Sequence, residues 1–116
     1  MAPLPASMKK QSEGDIQREI CRYLRQKGAL FMRINNTPVY DPKLRQYRAM
    51  GEYALKGVPD IIVVDAYGLF IGIEVKSVKG KLSPDQLLFK KRLEKKGGIY
   101  IVARSVKDVE DVGITY

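Results

Sequence analysis

Three ionisable residues, Asp60, Glu74 and Lys76, stand at the ends of two apolar runs within the stretch from Lys56 to Lys76. Two carboxylates and an ammonium can hold a cation and balance charge around it, provided the fold brings them together. The runs 61–64 and 69–75 are rich in Ile and Val and bounded by Gly and Pro, so they read as two buried strands of a hairpin about a turn at 65–68. With residues 66–68 as the loop, Asp65 faces Leu69, and counting outward sets Asp60 opposite Glu74. Side chains alternate along a strand, so Glu74 and Lys76 share a face while Val75 points the other way. Taken singly, each is more often a solvated surface residue, and Asp60 is simply the residue after a turn proline. Taken together at the end of a buried sheet, they are costly unless paired or bound to metal. A metal site with catalytic chemistry is the sharper explanation.

The composition narrows that chemistry. A chain of 116 residues without histidine excludes Ser-His-Asp and Cys-His triads, His-ligated zinc and imidazole bases. Hydrolysis must then run on carboxylates, lysine and a hard, oxygen-loving cation. One cysteine, Cys21, allows no disulfide framework and fits a reducing cytoplasmic setting. There is no apolar run of membrane-spanning length and no secretory pattern at the start. A net charge of +8 on so small a domain suggests a polyanionic partner, nucleic acid above all, with an anionic membrane surface as the rival.

The surrounding elements must position the trio. Residues 1–11 read as a mobile N-terminal tail and 12–116 as a single domain. Ser12 and Asp15 stand at capping-box spacing, and Ile16, Ile20 and Leu24 form an apolar stripe that Gly28 ends. Glu13 shares the buried face at the start of that helix; its placement near the positive end of the helix dipole explains it structurally. A first strand comes next, at 29–34. The long segment up to Lys56 has no clear period and interleaves tyrosines with cations, as surfaces that meet phosphates and stack on bases do. A solvated loop anchored by its tyrosines accounts for any one of them as well. Leu82-Ser83-Pro84-Asp85-Gln86-Leu87 is a complete helix start, with Ser83 as cap, Gln86 closing the box, and Leu82 and Leu87 at staple positions. Leu87, Phe89 and Leu93 are available to the core. A strand at 99–102 and a short helix capped by Ser105 and Asp108 complete the order α-β-loop-β-β-α-β-α, an α/β arrangement around a central mixed sheet flanked by helices.

Pro59-Asp60, with Glu74-Val75-Lys76 further along, is similar to the PD-(D/E)xK nuclease signature. Gly57-Val58-Pro59-Asp60-Ile61-Ile62, Ile73-Glu74-Val75-Lys76, Leu82-Ser83-Pro84-Asp85-Gln86 and Gly98-Ile99-Tyr100-Ile101-Val102-Ala103-Arg104-Ser105 resemble the VRR-NUC (virus-type replication-repair nuclease) family, from Glu13 to Val109. The resemblance implies a PD-(D/E)xK nuclease-like fold and a divalent-metal-dependent phosphodiesterase, commonly on branched DNA such as Holliday junctions or flaps, often as a homodimer. It makes Asp60 and Glu74 metal ligands for Mg²⁺ or Mn²⁺, with the main-chain carbonyl of Val75, and Lys76 the catalytic lysine. Glu13, rather than Glu19, becomes the helix-borne acidic residue, acting through a metal-bound water or a second cation, and Gln86 a further catalytic residue. Lys76 beside two carboxylates suits charge stabilisation better than base duty. Arg33, Arg45, Arg48, Lys56, Lys79 and Lys81 are the expected DNA contacts. No small-molecule cofactor and no membrane are expected. The alternatives are a catalytically idle nucleic-acid-binding module, or a restriction-type or RNA nuclease on the same core.

Overall fold

The structure is a computed structural model that describes residues 11–34, 40–47 and 51–116. The expected tail lies almost wholly outside these residues, and so does Arg48. Helix α1, Glu13–Gln26, opens on the expected capping box: the Asp15 N–H donates to Ser12 Oγ, and the Ser12 N–H donates to the Asp15 carboxylate. It ends where Gly28 turns left-handed at φ +70°, with the Ala29 N–H reaching back to the Leu24 carbonyl.

β1 (Leu30–Arg33), β4 (Ile61–Val64), β5 (Phe70–Val75) and β6 (Ile99–Ala103) form one mixed sheet in the order β1-β4-β5-β6, antiparallel except for the parallel pair β5 and β6. The long segment that shows no period in sequence holds a separate antiparallel ribbon, β2 (Tyr40–Asp41) and β3 (Gln46–Tyr47). Each of its strands is too short for a period-two pattern to register. Arg45 sits at its turn with φ +52°, and the Tyr40 and Tyr47 rings meet edge to face at 5.4 Å.

Strand parity divides the sheet into two faces. Ile61, Val63, Ile71, Ile73, Val75, Ile101 and Ala103 pack with Ile16, Ile20 and Leu24 of α1 and with Val109 of the short helix α3, Val106–Glu110. Each fully buried isoleucine or leucine there contributes about 1.5–3 kcal/mol of burial free energy. The opposite face carries Ile62, Gly72, Glu74 and Tyr100, and α2 (Pro84–Lys95) lies over it: a side chain at Gly72 would meet Pro59 and Leu93, and Phe89 packs at 6.4 Å from the Tyr100 ring. This cover is thin. No residue of α2 is buried, and Leu87, expected in the core, is 52% exposed and lines an open concavity with Leu82 and Val102 instead. No helix among the described residues is long and apolar enough to cross a membrane.

Candidate active site

The register of the β4–β5 hairpin is fixed by its turn. Asp65 Oδ1 accepts from the Tyr67 N–H at 2.8 Å and the Leu69 N–H at 2.9 Å, the Asp65 N–H donates to the Leu69 carbonyl at 3.1 Å, and Gly68 is left-handed at φ +81°. Ile61 then pairs with Ile73, so the next outward step sets Asp60 opposite Glu74, as the sequence count predicts. A slip of one residue would turn Glu74 into the α1 core. Asp60 is tied down as well: its Oδ2 accepts from the Val75 N–H at 2.8 Å, and its carbonyl accepts from the Ile34 N–H at 2.7 Å.

Glu74, 3% exposed, is the one buried charged residue among those described. Burial pushes its carboxyl pKa up to about 9; the Asp60 carboxyl, hydrogen-bonded to it and like-charged, adds to this, Lys76 opposes it, and Glu13 adds a smaller push. Glu74 therefore keeps its proton at neutral pH unless a cation replaces it. That is the electrostatic demand of a metal site, and its donors are all oxygen, suited to a hard divalent ion. No cluster of three or more acidic, cysteine or histidine side chains forms among the described residues, so further ligands would be main-chain or water oxygens.

Glu13 is exposed rather than buried in the core face, because as the first residue of α1 it lies beyond the end of the sheet. It nevertheless reaches the site from that side: its Oε1 accepts from the Ser77 N–H at 3.4 Å, and a side chain at Gly80 would meet both Glu13 Oε1 at 3.3 Å and the Lys76 stem at 3.2 Å. Glu19 instead accepts from the Gln11 amide at 2.7 Å. Gln86 combines its two expected positions. Its Oε1 accepts from the Ser83 N–H at 2.8 Å, closing the cap of α2, and it lines a cavity of about 250 Å³ with Lys56, Gly57, Asp60, Glu74 and Asp85.

The remaining cations are dispersed. Lys56 is at the carboxylate cavity, Lys79 is exposed past β5, and Arg45 is on the ribbon. Lys81 borders a larger, shallower concavity of about 800 Å³ with Leu82, Leu87, Val102, Arg104 and Asp108, which contains no carboxylate pair. Arg33 faces α1. Two residues here escape sequence reasoning. Arg104 donates from its guanidinium to the Ser77 and Val78 carbonyls, and with the Lys76 N–H on the Ala103 carbonyl at 3.0 Å it fixes the chain just after Lys76. Tyr100 shares the face of Glu74; burial first, then the Glu74 and Asp60 carboxyls, raise its pKa, and its hydroxyl finds no partner among the described residues. Pairing β6 with β5 from sequence would have revealed it, since Tyr100 then lies opposite Gly72.

A mixed sheet flanked by helices, with a carboxylate pair and a lysine at the open end of its central hairpin, defines a PD-(D/E)xK-type nuclease core. The chain belongs to the VRR-NUC domain family, whose model matches residues 11–107. A solved structure described as a VRR_NUC domain is similar to it, at 25% identity and a TM-score of 0.61, over 86% of this chain and 91% of that one. A search of curated proteins finds no match. Membership implies a nuclease, and with it a nucleic-acid ligand and a metal.

Proposed function

We propose that this protein is a divalent-metal-dependent endodeoxyribonuclease selective for branched DNA, such as Holliday junctions or flaps, and that it acts as a homodimer. The observation that carries the reading is the buried Glu74 carboxyl against Asp60, with Lys76 two residues on along the same face. Asp60, Glu74 and the Val75 carbonyl would hold Mg²⁺ or Mn²⁺. Such an ion supplies charge neutralisation at the phosphate and a more acidic water. Lys76 offers its ammonium to the phosphoryl oxygens as negative charge builds on them. Glu13, beside Ser77 and Gly80, orients a water at the same end of β5. Gln86 spends its carbonyl oxygen on the helix cap, which leaves its amide nitrogen to donate to a phosphate oxygen. Lys56, Lys79, Lys81 and Arg45 draw the backbone in electrostatically. Symmetric cutting of a junction needs two active sites, hence the dimer.

The test is cleavage of four-way junction, flap, duplex and single-stranded DNA with Mg²⁺, Mn²⁺ or EDTA. Metal-dependent nicking, strongest on the branched substrates, is expected, and Lys76→Ala is expected to lose roughly 10²- to 10³-fold in rate. No cleavage of any substrate, or a Lys76→Ala protein as fast as wild type, overturns the reading. Preference for RNA would move the substrate to the alternative class while leaving the chemistry in place.

A further inference from the structure

Between α1 and the outer edge of the sheet lies a second concavity, of about 300 Å³, lined by Gly14, Gln17, Arg18, Cys21, Arg22 and Arg33. The helical walls recur at spacings of three and four residues, one stripe round from the buried Ile16, Ile20 and Leu24. Arg33 supplies the other wall from the last position of β1, the edge strand, where it pairs with Ile61. Each wall adjoins, along the chain, a residue tied to the candidate active site, although the two cavities share no lining residue. Gly14 adjoins Glu13, and Arg33 precedes Ile34, whose N–H donates to the Asp60 carbonyl.

The charges in this cavity are unbalanced. Arg18 is held by Asp15, one turn back. Arg22 and Arg33 have no carboxylate partner among the described residues. Arg18 and Arg22 stand four apart on the helix, a like-charge spacing that disfavours the helix on its own. Nothing in the cavity offers acid–base chemistry: burial pushes the Cys21 thiol pKa up, with Arg33 acting against it. Guanidinium groups present planar forks that fit phosphate oxygens two at a time. We infer that this cavity is a phosphate-binding subsite for the nucleic-acid backbone, where Arg22 and Arg33 grip a phosphodiester close to the one cleaved and the Gln17 amide assists. The inference rests on the nuclease reading for its ligand. Contacts of this kind set the register of the strand on the protein without reading its sequence.

The experiment measures binding without cleavage: fluorescence anisotropy of labelled junction and duplex DNA in EDTA, over a series of KCl concentrations. Three double variants accompany wild type: Arg22→Ala/Arg33→Ala, Arg22→Lys/Arg33→Lys, and Lys27→Ala/Lys107→Ala, which removes equal charge elsewhere. The arginine-to-alanine pair is expected to bind about tenfold or more weakly and to lower the slope of log K against log salt by about 1 to 2. The lysine pair should fall between it and wild type, and the distant pair should remain within about twofold of wild type. Thermal melts confirm folding, since Arg22 and Arg33 are exposed. Wild-type affinity and slope in Arg22→Ala/Arg33→Ala overturn the subsite, and so does equal weakening by both alanine pairs, which would make net charge the cause. The nuclease reading is judged separately, by cleavage; a wild type that cuts nothing but shows the selective loss of slope keeps the subsite and loses the enzyme.

Discussion

Glu74→Gln is expected to abolish metal-dependent cleavage, by roughly 10³-fold, and yet to unfold at higher urea concentration than wild type at pH 8 in EDTA. The two effects have one origin. At 3% exposure and against Asp60, the Glu74 carboxyl binds its proton up to about pH 9, whereas in the unfolded chain it titrates near its ordinary value of 4.5. Between these values the folded state holds a proton that the unfolded state has lost. Raising the pH therefore lowers the stability of the metal-free protein, by up to about 1.4 kcal/mol per unit. Below the lower value the stability is intact, and above the upper one the loss levels off. Glutamine is an uncharged isostere of the protonated acid, so the variant lacks this slope and its advantage grows from pH 5 to pH 8.5.

Mg²⁺ should act on wild type in the opposite sense. The ion requires ionised ligands, so its binding expels the proton and tightens as pH rises, and mass action converts that affinity into stability. Urea titrations at several pH values, with EDTA or with Mg²⁺, read both effects. Parallel stability curves for wild type and Glu74→Gln in EDTA would rule out the proton held on Glu74. A Glu74→Gln protein that Mg²⁺ stabilises as much as wild type would move the ion elsewhere.

What was legible in the sequence is what local pattern can encode. The hairpin register could be counted because Asp65 and Gly68 specify a short loop and every residue outward then alternates. The caps of α1 and α2 could be read because Ser12 with Asp15, and Ser83 with Gln86, satisfy backbone donors within a few residues. The exposure of Glu13 could not. Helix phase places it beside the stripe, but only the length of the sheet beneath shows that α1 starts past its end. The thin cover by α2 was equally hidden, since leucines spaced for burial do not reveal how far the helix overhangs the sheet. Arg104 and Tyr100 belong to β6 and its exit, whose parallel partner lies across a helix in sequence. Non-local pairing of that kind leaves no periodic trace.

Gly57→Ala is expected to cost about 2–5 kcal/mol of stability and to slow cleavage roughly 10- to 100-fold. Gly57 is left-handed at φ +77°, and an added Cβ would stand 2.3 Å from the Asp85 carbonyl oxygen, 2.5 Å from its carbon and 2.8 Å from the Gln86 nitrogen. All are backbone atoms of the first turn of α2, which no rotamer change can move. Relief has to come from pushing that turn away from the loop before β4. The same loop and turn line the carboxylate cavity, with Gly57, Asp85 and Gln86 on its wall beside Asp60 and Glu74. The bare backbone at Gly57 is thus what lets the start of α2 approach the Asp60–Glu74 pair. Gly68→Ala provides the comparison: it is left-handed at φ +81°, but a Cβ there meets nothing within 4 Å. It should lose only the conformational term, about 1–2 kcal/mol, and keep its rate, because the hairpin tip is at the end of the strands opposite Asp60 and Glu74. Urea unfolding and junction cleavage on the two variants separate strain from contact. Equal losses of stability and unchanged rates in both would mean that α2 adjusts freely, and that Gln86 contributes through its cap alone.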